Sequence, residues 1–191
     1  MHTLFRKDKS YPPRLNDLFD PPSQLYICGN MSLLKMPMIA IIGSRQASPQ
    51  GLRNAAMFAN QLSRSGALII SGLARGIDGA AHRAASNTSS QYLTAAICGT
   101  GLDIVYPQEH QKLAAAISQH GLLMSELGPG VGPKPFHFPR RNRIIAALAL
   151  GVVVIEAAEN SGSLITAKIA GQKIKAFWTF FNLSVNNKKG V

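Results

Sequence analysis

The stretch Ile39-Ala-Ile-Ile-Gly-Ser-Arg45 contains the pattern that decides the fold, a short apolar run followed by a turn. Its apolar residues would be buried on both faces, which is typical of a parallel strand covered by helices on each side. Segments with helical patterning separate most of the similar runs that follow, and those runs begin near Ala67, Leu93, Leu122 and Val152. This alternation predicts an α/β fold, a three-layer doubly wound sheet that is mainly parallel.

Two segments support the predicted register of helices and strands. Ser48 and Pro49 form an N-cap followed by proline at the first helical position, and the helix that they begin should end at Gly66. Residues 144–155 are interpreted as a helix that turns into a buried strand, with Gly151 interrupting the apolar run. This run is too short to span a bilayer, so we expect no membrane partner.

The composition limits the class of protein. The 191 residues suffice for one domain with a sizeable core. The two cysteines, Cys28 and Cys98, fit neither a disulfide framework nor a zinc site, so we expect a reducing compartment and no metal. The N-terminus becomes polar where a secretory signal needs an apolar core, and we therefore predict a cytoplasmic location. Gly99-Thr-Gly101 lacks the third glycine of a dinucleotide site and the chain has no P-loop sequence, so we expect no cofactor.

The charge distribution favours a polyanionic partner. The formal net charge is +11, and no Asp or Glu occurs between Pro21 and Ile77 or between Leu127 and Ile155. A basic field of this kind attracts nucleic acid through the release of counterions. The alternative is that the charge serves only to keep the chain in solution.

Small residues end each predicted strand, and in a parallel sheet these turns lie along one edge. Backbone N–H groups and helix N-termini at such an edge attract phosphate. The turns contain the residues that we predict to bind anions, which are Ser71, Gly72, Gly99, Gly101, Ser161, Gly162 and Ser163. The alternative is that tight turns require small residues whether or not a ligand binds.

Arginines and aromatic residues accompany two of these turns. Arg45 directly follows a Gly-Ser turn, where its guanidinium can pair with phosphate or stack on a base. Arg140, Arg141 and Arg143 lie at a helix start, where cations oppose the helix dipole unless an anion or a carboxylate is near. Phenylalanines before this helix could stack bases or could fill the core beneath the loop. The full predicted DNA-binding set is Gly43, Ser44, Arg45, Lys134, Phe138, Arg140, Arg141, Asn142 and Arg143.

The acidic residues permit an enzymatic alternative. Glu126 and Asp103 are isolated in the sequence at predicted strand ends, and each could act as a base or could orient a loop. Asp78 and His82, four residues apart near Ser71, could form a metal or catalytic site, but we interpret them as a helix cap and a buried histidine. The sequence provides no paired acid and base. The alternative function is therefore a Rossmann-like enzyme that binds or cleaves a nucleotide, with Glu126 as its acid or base.

Five segments in order together resemble the DNA-processing protein A (DprA/Smf) family: Ile39–Arg45, Ser71–His82, Gly101–Pro107, Phe138–Ile145 and Ser161–Thr166. The resemblance extends from about Tyr11 to Ala170 and implies an extended Rossmann-like domain that forms a homodimer. It implies binding of single-stranded DNA, loading of the RecA recombinase during natural transformation, and no catalysis. Transferred by position, Gly43, Ser44 and Arg45 would form one wall of the DNA pocket and residues 138–143 another.

The C-terminal segment departs from the family pattern. We divide the chain into an extended lead-in of residues 1–37 packed against the sheet, a DNA-binding domain of residues 38–170, and a divergent tail of residues 171–191. The aromatic residues of the tail would form an unpartnered apolar patch, comprising Phe177, Trp178, Phe180 and Phe181. The alternative is that this segment forms a last strand. The resemblance assigns the family's dimer and recombinase contacts to the later part of the domain.

Overall fold

The computed structural model describes residues 1–86 and 93–156 and the backbone of residues 176–180. The strands are β1 His2–Phe5, β2 Gln24–Gly29, β3 Met38–Gly43, β4 Leu68–Ser71, β5 Thr94–Ile97, β6 Leu122–Ser125, β7 Gly151–Ile155 and β8 Ala176–Phe180. The α-helices are α1 Pro49–Arg64, α2 Ile77–Ser86, α3 Gln111–His120 and α4 His137–Leu148. The 3-10 helices are Pro13–Asp17, Met31–Lys35 and Gln108–His110.

The strands form one sheet in the order β1-β2-β6-β5-β4-β3-β7-β8. The pairs from β6 through β8 are parallel, whereas β1 and β2 join the sheet as antiparallel strands. The predicted α/β class with a mainly parallel sheet is confirmed. The five predicted apolar runs correspond to β3, β4, β5, β6 and β7.

The sheet is covered on both faces, as the doubly apolar strands require. Alternate residues of β4 point to opposite sides: Ile70 packs into a cluster with Ile144 of α4 and the lead-in, and Ile69 packs against Ala55 of α1. Ile117 of α3 covers the same face as α1 and α2 farther along the sheet, against Leu123. The core therefore comprises two layers of packing separated by the sheet.

The lead-in is more regular than the sequence indicated. Instead of only packing on the sheet, it contributes β2, whose Leu25 and Ile27 are fully buried, and β1 pairs with β2. Tyr11 and Leu15 are buried in the same cluster as α4. This segment is therefore an integral part of the α/β core.

The start of α1 matches the sequence prediction. The Ser48 hydroxyl accepts a hydrogen bond from the Gly51 amide at 3.0 Å, and Pro49 occupies the first turn. The Glu156 carboxylate, just beyond β7, accepts a hydrogen bond from the Ser48 amide at 2.8 Å. Gly66 has φ +85° just after the helix, where a residue without Cβ avoids strain. The hydrogen bonds of Ser48 hold the loop that carries Arg45.

The final described strand agrees with the alternative left open for the C-terminal segment. Residues Ala176–Phe180 form β8, which pairs with β7 in parallel from Gly151↔Ala176 to Ile155↔Phe180. Residues 171–175 and 181–191 lie outside the described residues, and the side chains of the predicted aromatic patch lie outside what the structure describes. In the part of the chain that the structure describes, no helix has the length and apolar character needed to cross a membrane.

Candidate nucleic-acid interface

Most of the small residues at the carboxyl edge of the sheet are required by close packing. A Cβ added to Gly43 would lie 1.9 Å from the Ile155 carbonyl oxygen, and one added to Gly101 would lie 2.4 Å from the Gly128 oxygen. The Ser44 carbonyl accepts a hydrogen bond from the Ile77 amide at 3.2 Å. These loops are therefore held against one another, as the packing alternative predicted.

The predicted anion-binding groups of the turns are largely used in internal hydrogen bonds. The fully buried Ser71 hydroxyl donates to the Ile41 carbonyl at 2.6 Å, and the Gly72 amide donates to Asp78 at 3.0 Å. The Gly101 amide donates to the Val131 carbonyl at 2.8 Å. These groups of the three residues are already paired inside the fold, and phosphate binding by the three residues stays a prediction. Ser161, Gly162 and Ser163 lie outside the described residues.

Arg141 lies in the interior instead of facing a ligand. Its side chain enters from α4 and donates hydrogen bonds to the carbonyls of Gly72 and Ile97, at the ends of β4 and β5. Burial lowers the pKa of Arg141 and raises that of nearby Asp78, and their mutual attraction opposes both shifts. Asn142 accepts a hydrogen bond from Arg141 at 3.0 Å. Arg141 therefore links α4 to the sheet edge through its hydrogen bonds, and its contact with DNA stays a prediction.

Glu126 neutralises the other two arginines of the cluster. Its carboxylate accepts hydrogen bonds from Arg143 at 2.6 and 2.7 Å, and its oxygens lie 3.1 and 3.2 Å from nitrogens of Arg140. The Arg143 side chain is 14% exposed and also donates to the Asp20 carbonyl, so it joins α4 to the lead-in. The Arg140 side chain is 51% exposed. Of the three arginines in this cluster, Arg140 is therefore the one best placed to meet a ligand.

An exposed stack of side chains lies at the start of α4. The Arg45 guanidinium carbon lies 5.5 Å from the centroid of the Phe138 ring. The Tyr106 ring also contacts Phe138, with centroids 5.4 Å apart and planes inclined by 38°. A Cβ added to Gly99 would lie 2.8 Å from Phe138 Cδ1, so the ring rests directly on the turn after β5. Phe138 is thus supported from below and partly open to solvent.

A second exposed aromatic residue, Phe136, lies two residues before Phe138 in the chain. Phe136 is 62% exposed, and Lys134 Nζ lies 6.0 Å from its ring centroid. His137, packed edge-on against Phe136 at 4.5 Å, is buried. The aromatic surface is the group formed by Arg45, Tyr106, Lys134, Phe136 and Phe138. It combines cations and ring faces, the chemistry that binds unpaired bases and their phosphates.

The model of the DNA recombination-mediator protein A family matches residues 2–190. The chain belongs to this family. The DNA processing protein DprA of Streptococcus pneumoniae is 46% identical over 163 residues, which cover 85% of this chain and 57% of that protein. The chain spans about half the length of this and two other curated relatives that it matches.

Two solved structures of DNA processing protein A match the fold over 96% of this chain. The S. pneumoniae DprA structure has a TM-score of 0.90 at 41% identity, and 64% of it is covered. The DNA processing protein A of Helicobacter pylori, described for its single-stranded DNA binding mode, has a TM-score of 0.85 at 32% identity, with 82% covered.

Three other titratable side chains, those of His82, Asp103 and Cys98, are buried or take part in hydrogen bonds within the fold. His82 is fully buried beside Thr94, with 2.6 Å between Nδ1 and Oγ1, and burial lowers its pKa to about 3. Asp103 accepts a hydrogen bond from the Gly130 amide at 2.8 Å and orients that loop. Burial raises the pKa of Cys98 to about 11, so the thiol stays protonated at neutral pH. Within the described ranges, no group of three His, Cys, Asp or Glu residues could hold a metal ion.

The sequence did not indicate that Tyr106 and Arg75 lie near this surface, or that Glu126 pairs with arginines of α4. Tyr106 lies in the segment that carries the family resemblance, but no local pattern indicated that its ring would contact Phe138. Arg75 lies next to Gly76, whose added Cβ would approach the Ser44 oxygen to 2.2 Å. The pairing of Glu126 with Arg140 and Arg143 spans a loop, so spacing on a helix gave no signal for it.

Proposed function

We propose that this chain is a non-enzymatic DNA-binding core that holds single-stranded DNA on the aromatic surface. The observation that carries the proposal is the position of the Phe138 ring, which rests on Gly99 and lies near both Arg45 and Tyr106. A base stacked on such a ring places its phosphate within reach of a neighbouring cation. Arg45 and Lys134 supply the nearest cations, and Arg140 adds a third that is shared with Glu126.

The surface favours single strands over duplex DNA. A base can stack on an aromatic side chain only after it separates from the neighbouring bases of the DNA. The free energy needed for this step is lowest when the DNA is already single-stranded. Tyr106 and Phe136 lie in loops, and Phe138 lies in the first turn of α4. The net charge of +11 adds attraction that does not depend on sequence.

The proposed cellular role follows from membership of the family. We assign the chain to DNA processing in the cytoplasm, with RecA as a protein partner and natural transformation as the process. A homodimer is part of this proposal. The single-stranded DNA binding mode described for the H. pylori protein supports the choice of ligand.

The contacts of Glu126 argue against the alternative of a nucleotide-cleaving enzyme. A general base needs a free lone pair within reach of a substrate proton. Both Glu126 oxygens are engaged by Arg140 and Arg143, and the side chain is 15% exposed. A role in holding α4 explains these contacts without any reaction.

Fluorescence anisotropy with a labelled oligothymidylate tests the proposal. Arg45→Ala should weaken binding and flatten its dependence on salt, because one phosphate contact is lost. Phe138→Ala should weaken binding by about 1–3 kcal/mol through loss of base stacking. Arg64→Ala at the far end of α1 removes the same charge as Arg45→Ala and is the matched control.

The three variants separate a defined site from a general charge effect. Equal losses of affinity in Arg45→Ala and Arg64→Ala would mean that DNA binds through net charge alone. Unchanged affinity in Phe138→Ala would remove the aromatic surface from the proposal. Circular dichroism of each variant ensures that the folded chains are compared.

A further inference from the structure

An exposed ion pair lies beside the aromatic surface and has no part in the contacts described so far. Arg75, in the loop after β4, donates from its Nε to Glu109 at 2.8 Å and from its terminal nitrogen at 2.6 Å. The two side chains are 56% and 51% exposed. Arg75 therefore presents a two-pronged guanidinium to solvent, with a carboxylate in the position that a phosphate would take.

The loop that carries Arg75 is fixed against the loop that carries Arg45. A Cβ on Gly76, which has φ +69°, would meet the Ser44 oxygen at 2.2 Å and the Arg45 carbonyl carbon at 2.9 Å. The next residue, Ile77, donates its amide hydrogen to Ser44. The backbones beside the two arginines are therefore in contact, and their spacing is set by the fold.

Tyr106 connects the ion pair with the stack. It is 43% exposed and contacts the Phe138 ring. Glu109 follows Tyr106 by three residues, in the 3-10 helix Gln108–His110. Contacts therefore run from Arg45 to Phe138 and from Phe138 to Tyr106, and three residues of chain separate Tyr106 from Glu109, the partner of Arg75.

We propose that Arg75 is a second phosphate subsite for single-stranded DNA, adjoining a base stacked on Tyr106, and that Glu109 occupies this subsite when DNA is absent. The inference rests on the proposed function, since it extends the strand by one nucleotide beyond Phe138. The ligand is a phosphodiester of the same strand that contacts Arg45.

The exposure of the pair makes the exchange feasible. An ion pair between solvent-exposed side chains contributes little to stability, so a phosphate can replace Glu109 without disturbing the fold. The displaced carboxylate stays close and repels the incoming phosphate. Glu109 thereby weakens binding at this subsite, while its hydrogen bonds keep the Arg75 guanidinium in an orientation suited to an anion.

The test compares Glu109→Gln in two backgrounds of the full chain by anisotropy with oligothymidylate. In the unaltered background we expect binding to tighten about threefold to tenfold and the plot of log K against log salt to steepen by roughly 0.7, the value for one more phosphate on a single strand. In the Arg75→Ala background, we expect Glu109→Gln to increase the affinity for oligothymidylate by no more than Asp8→Asn does. Asp8 is a partly exposed carboxylate just beyond the edge strand β1 and controls for net charge.

The outcomes distinguish the subsite from the proposed function as a whole. If Glu109→Gln tightens binding equally with and without Arg75, or no more than Asp8→Asn does, the subsite is wrong even though Arg45→Ala still weakens binding. If the unaltered chain does not bind oligothymidylate, or binds it independently of Arg45, both the proposed function and the subsite fail. Both altered positions are exposed, and thermal melts should show that the variants remain folded.

Discussion

The position of the Phe138 ring depends on the absence of a side chain beneath it. At Gly99 a Cβ would lie 2.8 Å from Cδ1 and 3.0 Å from Cε1 of that ring. Such distances are too short for carbon atoms, so the ring would have to move away from the turn. Glycine at this position therefore determines how close the stack lies to the sheet edge.

Gly99→Ala should weaken binding of single-stranded DNA, because the displaced ring would lose its alignment with Arg45 and Tyr106. We expect an effect comparable with loss of one stacked base, about 1–3 kcal/mol, measured by anisotropy with oligothymidylate. Gly132→Ala is the matched control, since nothing lies within 4 Å of its added Cβ. Equal affinities of the two variants would contradict this role for Gly99.

At the same scale, the sequence indicated which residue types form the site but not how they pair. Arg45 and Phe138 were predicted from their place after a strand and before a helix, and the structure brings them together. Arg141 carries the same charge as its neighbours, yet its direction into the core depends on the helix register against β4 and β5. Only the three-dimensional arrangement distinguishes such an internal arginine from an exposed one.

At the scale of the elements, the predictable strands are those buried on both faces. β3 and β7 are continuous apolar runs, so their sequences identified them directly. β2 alternates buried and partly buried residues over a short length and contains Gln24 and Gly29, which gives a weak strand signal. Its place in the sheet follows from pairing with β6, a contact distant in the sequence.

The packing of α2 against β5 buries a histidine that should make folding sensitive to acid. Burial lowers the pKa of His82 to about 3, whereas the unfolded side chain has a pKa near 6.5. Between these values the unfolded chain binds a proton that the folded chain does not. This contribution therefore destabilises the fold progressively as the pH falls below about 6.5.

His82→Leu should reduce the pH dependence of stability, because the buried imidazole can no longer be protonated on unfolding. We expect the midpoint of urea unfolding to fall less between about pH 6.5 and pH 4 in the variant than in the parent chain. His2→Leu, at an exposed position of β1, controls for loss of an imidazole elsewhere. Parallel pH curves for His82→Leu and the parent would refute the assignment.

At the scale of the whole molecule, Glu126 joins three parts of the fold. It follows β6, binds Arg140 and Arg143 of α4, and through Arg143 is linked to Asp20 of the lead-in. The Arg143 and Glu126 side chains are mostly shielded from solvent. Removing the carboxylate would leave a cation without its main partner in a poorly hydrated position.

Glu126→Gln should lower the free energy of unfolding by about 1–3 kcal/mol, the usual cost of leaving a shielded polar group unpaired. Urea denaturation of the purified chain measures this change. Glu109→Gln is the isosteric comparison, and we expect little effect there because both partners are exposed. If the two substitutions proved equally harmless, Glu126 would not hold the lead-in to α4.

Arg45 and Phe138 meet across the fold, although a large part of the chain separates them in sequence. A ligand that contacts both can bind the folded chain and finds no equivalent site on the unfolded one. By mass action, such a ligand draws the population toward the folded state. If single-stranded DNA is this ligand, as proposed, a higher concentration of it would protect a larger fraction of the protein from proteolysis. The protein would then last longer when its ligand is abundant.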